Sequence, residues 1–150
     1  MTDYTLKDYL ILDEKTKIDS LIKTYNKKRN KAFIMTIGSK NKFLNHIFNE
    51  FLIKNIDNIY EYQNMNGTNT LNEVSKIEEG EKEHPIIINL YNKENYENIL
   101  NGFLFYRDYI YDKKLKIFLL VSDLGFNYLE DFCEDLLILN SFAYNFKSEG

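Results

Sequence analysis

Two kinds of segment alternate along the chain. Short runs that are almost wholly apolar and rich in β-branched residues are typical of parallel strands covered on both faces. Between them, apolar residues recur three and four positions apart, as they do in amphipathic helices. The pattern predicts strands at 32–37, 56–62, 86–90 and 115–121, and a terminal segment at 141–146 also fits a strand.

The helical pattern occupies the segments between these strands. Asp13 is a favourable N-cap for a first helix that ends in the basic cluster 27–31, and the segment before it, 4–12, fits either a short helix or an edge strand,. Further helices are predicted at 43–52, at 93–114 and after a turn at 123–126. Asn45, His46 and Asn49 are expected to face away from the core. The second and last helices are predicted to bury Phe43, Leu44, Ile47, Phe48, Phe51, Leu52, Leu129, Phe132, Cys133, Leu136 and Leu137.

Strands separated by helices argue for βαβ crossovers. We therefore predict a three-layer α/β fold with a mostly parallel sheet of about four to five strands. The length of 150 residues suits a single domain, 1–150,. The polar segment 63–83 contains the turn signal Asn66-Gly67, and it fits a solvated loop, or an insertion that binds a partner.

The composition of the chain argues against several classes of function. A net charge of −4 argues against a general nucleic-acid binder, and the basic cluster 27–31 is better explained by the favourable position of positive charge at a helix C-terminus,. One cysteine and two histidines do not suggest a disulfide framework or a zinc site,. No apolar run has the length of a membrane span and no signal peptide is recognisable, so we expect a cytoplasmic protein with no membrane partner.

The stretch 32–42 has the outline of a phosphate-binding loop. An apolar strand ends at a turn formed by Gly38 and Ser39, and an amphipathic helix follows directly. Parallel sheets bind ligands at the carboxyl ends of their strands, which the pattern places near Gly38, Leu90 and Ser122. Lys40 or Lys42 would there meet an anion at the N-terminus of a helix.

An acidic helix at 13–22, a basic link, a strand, a glycine turn and Phe43-Leu44 follow one another in this chain. Together with Arg107-Asp108 and Glu134-Asp135 in the C-terminal half, this order resembles the core of P-loop ATPases of the STAND type. The resemblance implies a P-loop NTPase-like fold. It also implies a nucleotide-phosphate site at Gly38, Ser39, Lys40 and Lys42.

Two departures from the P-loop pattern bear on activity. The loop is shorter than Gly-x-x-x-x-Gly-Lys-Ser/Thr and lacks its second glycine, and the strand that should end in a carboxylate for Mg²⁺ ends in Asn89,. Asp123 is the one carboxylate at the expected ligand edge, and an N-cap explains it equally well. We therefore expect no catalytic residue, no metal and no cofactor. Bound ATP or GTP with Mg²⁺ is the minor alternative.

The remaining candidates point to protein contacts. Cys133 is expected to be a buried, unreactive thiol and His46 an exposed helical residue,. Arg107, Tyr106 and Tyr109 are candidates for an interaction surface. The sequence thus predicts a non-catalytic pseudo-NTPase that binds a protein partner as an adaptor, subunit or regulator, and family analogy suggests a bacterial or phage conflict or defence system. The alternative is a nucleotide- or phosphate-binding protein with weak or no hydrolysis.

Overall fold

The computed structural model describes residues 6–28, 31–62, 85–138 and 141–147, so the predicted loop at 63–83 lies outside the described residues. The chain begins with a turn of 3-10 helix at Leu6–Tyr9. The elements that follow are α1 (Leu12–Lys28), β1 (Phe33–Ser39), α2 (Lys42–Asn55), β2 (Tyr60–Tyr62), β3 (Ile86–Asn89), α3 (Tyr96–Phe105), α4 (Arg107–Asp112), β4 (Lys116–Ser122), α5 (Asp123–Phe132), α6 (Glu134–Ile138) and β5 (Phe142–Phe146).

The five strands form one sheet in the order β2-β3-β4-β1-β5, and every neighbouring pair is parallel. The central pair runs in register from Phe33 opposite Lys116 to Ser39 opposite Ser122. The terminal segment is a true strand, with Asn145 opposite Gly38. The predicted three-layer α/β fold is therefore confirmed, with a P-loop-like parallel sheet between two helical layers.

Alternate residues of β1, β3 and β4 enter two separate cores. On one face of the sheet, Phe33, Met35 and Ile37 pack with the 3-10 turn, α1 and α2. On the other face, Ile34 joins Ile117, Leu119 and the apolar residues of α3 to α6. β1 is buried along its whole length, as expected of a parallel strand between helical layers,.

Several predicted boundaries were wrong. The second strand is short because Ile56 still caps α2 and Asn58 turns the chain with φ of 61°, which leaves only Tyr60–Tyr62 to pair with β3. The predicted helix at 93–114 is two helices, broken at Tyr106, where φ is −103° and ψ is 27°. The segment 123–126 is the first turn of α5 and not a separate turn.

Two aromatic residues predicted to be buried are exposed. Phe43 lies in the first turn of α2, is 49% exposed and packs its ring edge-on against Tyr9 with centroids 5.1 Å apart. Phe132, the last residue of α5, is 69% exposed and contacts the Tyr128 ring at 5.1 Å. Helical spacing alone assigned both to the core, but at these two helix ends the buried residues are their neighbours Leu44 and Cys133.

The part of the chain that the structure describes contains no helix that is both long enough and apolar enough to cross a membrane.

The buried state of Cys133 gives a direct test of the fold. Burial raises the pKa of the Cys133 thiol, and the thiolate is the reactive form,. The contribution of this thiol to stability is present below its ordinary, unfolded pKa and is lost as the pH rises through the folded pKa. We expect 5,5′-dithiobis(2-nitrobenzoic acid) at about pH 8 to label the folded chain at least about 100-fold more slowly than the urea-unfolded chain.

Because Cys133 is the single cysteine, Cys133→Ala supplies the background rate. Equal labelling of the folded and unfolded chains would contradict the burial of this residue.

Candidate functional site

The connections of the sheet define where a ligand would bind. From β1 the chain passes through α2 on one face to β2 at the far edge, whereas from β4 it passes through α5 on the other face to β5. The chain therefore leaves the neighbouring strands β1 and β4 toward opposite faces of the sheet. A crevice at such a switch point is the usual ligand site of open parallel sheets.

The link from β1 to α2 contains only two residues. Gly38 and Ser39, predicted to form the turn, are instead the last residues of β1, and both are buried. Lys40 donates its backbone N–H to the Phe146 carbonyl at 3.1 Å, and Asn41 caps α2 by accepting the Leu44 N–H at 2.8 Å. A link of this length cannot encircle a phosphate as a Walker A loop does.

The side chains packed around Gly38 leave no room for a side chain at this position. A Cβ built on Gly38 would lie 2.5 Å from Asn145 Oδ1 and 3.0 Å from Phe126 Cδ2. The space that a P-loop glycine leaves for a phosphate is here filled by β5 and α5. Beyond the link, Lys42 begins α2 and is exposed, so of the predicted phosphate-binding residues the two lysines lie at the surface and Gly38 and Ser39 inside.

The Asn89 side chain forms two hydrogen bonds with a second asparagine, Asn45. The Asn45 Nδ2 donates to Asn89 Oδ1 at 3.2 Å, and the Asn89 Nδ2 returns a bond to Asn45 Oδ1 at 3.0 Å. Asn89 Oδ1 also accepts the Tyr91 backbone N–H at 3.1 Å. The residue at the end of β3, where an ATPase carries its magnesium carboxylate, is thus a neutral amide that satisfies other protein groups.

One turn further along α2, Asn49 makes a similar contact. Its Nδ2 donates to Glu61 Oε2 of β2 at 2.8 Å. Asn45 is 6% exposed and Asn49 8%, so the expectation that they face away from the core was wrong, although His46 between them is exposed. The two amides lie four residues apart on the side of α2 that faces the ends of β2 and β3.

Three oxygen atoms near the ends of β1, β4 and β5 are buried and have no hydrogen-bond partner among the described residues. They are Ser39 Oγ, Asp123 Oδ1 and Asn145 Oδ1. The N-cap of α5 is Ser122, whose Oγ accepts the Gly125 N–H at 3.1 Å, so the capping role considered for Asp123 belongs to its neighbour. Buried oxygen atoms without a partner are rare in native proteins, and a bound ligand, a water molecule or a change of conformation usually supplies the missing hydrogen bond.

The predicted interaction residues lie around the break between α3 and α4. Tyr106 is 49% exposed and its ring meets the Phe105 ring edge-on at 4.9 Å. Arg107 donates from Nη1 to the Leu104 carbonyl at 3.1 Å, which ties the start of α4 to α3. Tyr109 is half-buried against the core on the α3–α6 side of the sheet.

Sequence reasoning missed Asn45, Asn49 and Asn145 as parts of this edge. The available signal was the spacing of Asn45 and Asn49, which border the apolar stripe of α2 instead of lying opposite to it. In the described ranges, no group of three or more His, Cys, Asp or Glu side chains is arranged to hold a metal ion.

Comparisons with known protein families, with curated protein sequences and with solved structures find no significant match to this chain. What can be said of its class therefore comes from its own geometry. It is a three-layer α/β protein with a parallel five-stranded sheet whose carboxyl edge is occupied by its own side chains.

The packing role of Gly38 is testable by substitution. Gly38→Ala should lower the free energy of unfolding by about 1–3 kcal/mol, because the new methyl group overlaps Asn145 and Phe126,. Asn145→Ala in the same chain should restore part of that loss. Gly102→Ala is the matched control, since a Cβ there meets nothing within 4 Å, and in a helix it should add about 0.5–1 kcal/mol,. Urea unfolding measures all four chains, and a neutral Gly38→Ala would contradict the packing role.

The amide pair is testable by a double-mutant cycle. Asn45→Ala and Asn89→Ala should each cost about 1–3 kcal/mol of unfolding free energy, because each removes both hydrogen bonds of the pair, and Asn89→Ala also leaves the buried Asn45 amide without this partner,. The double variant should cost less than the sum by at least about 0.5 kcal/mol. Asn98→Ala on the exposed side of α3 should change stability by less than about 0.5 kcal/mol,. Strict additivity in the cycle would show that the two amides do not interact.

Proposed function

We propose that this chain is a non-catalytic, P-loop-ATPase-like protein that acts as an adaptor, subunit or regulator by binding another protein. The observation that carries the proposal is the reciprocal pair of hydrogen bonds between Asn45 and Asn89. It puts two neutral amides, already bonded to each other, where Mg²⁺-dependent hydrolysis needs a carboxylate.

The residues predicted to bind a phosphate, at the end of β1, also support the proposal. Backbone N–H groups, a reaching lysine and a hydroxyl are the parts with which a P-loop holds a nucleotide. Here the Lys40 N–H is bonded to Phe146, the Ser39 hydroxyl is buried within β1, and the link to α2 is two residues long. Within the described ranges, these groups are thus not arranged as in the phosphate and magnesium sites of an ATPase, which supports a non-catalytic role.

Exposed apolar side chains support a role in protein binding. On the α3–α6 side of the sheet, Phe105 is 78% exposed and Leu124 and Phe132 are each 69% exposed. Single exposed apolar residues are common, but here the Phe132 ring contacts the Tyr128 ring, and the Phe105 ring meets the Tyr106 ring edge-on, at the surface of one helical layer,. Aromatic residues are enriched in protein interfaces.

A small ligand at the carboxyl edge is the second candidate. It is favoured by the buried and unpartnered oxygen atoms of Ser39, Asp123 and Asn145. The oxygens of Asp123 and Asn145 accept hydrogen bonds, so they would meet donor groups on the base or sugar of a nucleotide and not its phosphate,. A nucleotide held there would be a bound effector, because the amide at Asn89 still supplies no carboxylate for magnesium.

Thermal unfolding with and without nucleotide separates these functions. A nucleotide present at about 100 times its Kd stabilises the folded state by about 2.7 kcal/mol, which for a chain of 150 residues raises Tm by roughly 5–10 °C,. We expect ATP, GTP and inorganic phosphate, each with millimolar Mg²⁺, to raise Tm by less than about 1 °C. A rise of several degrees that is abolished by Lys42→Ala, while Lys54→Ala leaves it intact, would contradict the proposal and establish the nucleotide-binding alternative.

A further inference from the structure

One stripe of side chains on α5 includes two exposed apolar residues that lie outside both cores. Leu124, Tyr128 and Phe132 follow one another at intervals of four residues, so they lie along one side of the helix at spacings of about 6 Å,. Leu124 and Phe132 are each 69% exposed and Tyr128 is half-buried between them. We call these three residues the α5 stripe.

The α5 stripe lies beside α3 and is held in place by it. The Tyr128 hydroxyl donates to Asn101 Oδ1 at 2.9 Å, and the Tyr96 ring meets the Tyr128 ring edge-on at 6.1 Å. Tyr128 therefore has a fixed position, with its polar end satisfied and the stripe on either side of it open. Two helices packed side by side leave a furrow along which a third helix can lie, with its apolar residues between theirs.

The segment of chain that carries the stripe has charged residues of one sign. Between Lys116 and Lys147 the chain contains no lysine or arginine, and it contains the five carboxylates Asp123, Glu130, Asp131, Glu134 and Asp135. The whole chain has 23 acidic and 19 basic residues, so removing these five leaves 18 acidic against 19 basic. The negative net charge of the protein is thus concentrated on α5 and α6.

Local helix stability does not explain all of these carboxylates. Glu134 and Asp135 occupy the first turn of α6, where the helix dipole favours negative charge,. Glu130 and Asp131, however, lie in the last turn of α5, where the dipole favours positive charge and the helix has none. Both are exposed next to Phe132. Their position is unfavourable for the isolated helix and favourable for a positively charged partner.

We propose that the α5 stripe is the docking site for an amphipathic helix of a partner protein, with apolar residues at i, i+4 and i+7 and lysine or arginine on either side of them. This rests on the proposed function, for which it supplies the surface and the kind of partner. The charges exclude other occupants. Nucleic acid and anionic lipid would be repelled, and a second copy docked stripe to stripe would bring the same carboxylates together.

Selection from a displayed library of helix-forming peptides tests the proposal. The full chain serves as bait and its Leu124→Ser/Phe132→Ser variant as counter-bait, after equal urea midpoints have confirmed that both are folded. Peptides that prefer the parent chain should carry net positive charge and the apolar spacing given above. The proposal is overturned if the enriched peptides are neutral or acidic, or if no peptide prefers the parent chain.

The most enriched peptide, made synthetically and labelled, then locates the site by fluorescence anisotropy. Phe132→Ser should weaken its binding at least about tenfold, as expected for an aromatic anchor. Phe43→Ser is the matched control, because Phe43 is also an exposed aromatic residue at a helix end but belongs to the other helical layer, and it should change binding less than about twofold,. Glu130→Gln/Asp131→Asn should weaken binding severalfold in low salt and have little effect in about 0.5 M NaCl.

The outcomes distinguish a wrong docking site from a wrong proposed function. If Phe43→Ser abolishes peptide binding and Phe132→Ser does not, the docking site is wrong while the protein still binds a helix. A rise in Tm of several degrees with nucleotide that Lys42→Ala abolishes would instead contradict the proposed function, whatever the result of the peptide experiments.

Discussion

The arrangement of the carboxyl edge depends on how α2 is anchored to the sheet. Asn45 and Asn49 point from α2 to the ends of β3 and β2, where they bond Asn89 and Glu61. Buried polar groups are usually hydrogen-bonded, and here Asn45 bonds the Asn89 amide and Asn49 bonds the Glu61 carboxylate,. The same bonds that fix α2 therefore place two neutral amides, bonded to each other, at the end of β3.

The parallel sheet was predictable because its strands are nearly all apolar, and β1, β3 and β4 are separated by helical patterns that require crossovers,. The terminal segment fits a strand but its pattern does not require one, because Phe142–Phe146 mixes aromatic with polar residues. The ends of elements were not predictable from periodicity. Where α2 stops depends on the cap at Ile56 and the left-handed Asn58, and Tyr106 breaks a segment whose apolar spacing is helical throughout.

The sequence placed the candidate residues relative to the strands but did not reveal what they contact. Gly38, Ser39, Asn89 and Asp123 do lie at the ends of strands, because strand ends follow from the hydrophobic pattern. The contacts of these residues come from parts of the chain that are distant in sequence: Asn145 reaches Gly38 from β5, and Asn45 reaches Asn89 from α2. No spacing rule connects such residues, so only the fold shows that Gly38 is a packing glycine.

The side-chain amide protons of Asn45 and Asn89 report most directly on the closed state of this edge. In ¹H–¹⁵N correlation spectra of the folded chain, we predict that both NH₂ groups exchange slowly with water and keep their chemical shifts when ATP and Mg²⁺ are added. Rapid exchange, or a shift of either group that saturates with nucleotide, would contradict the account, because it would show that the two amides separate and that the edge admits a ligand.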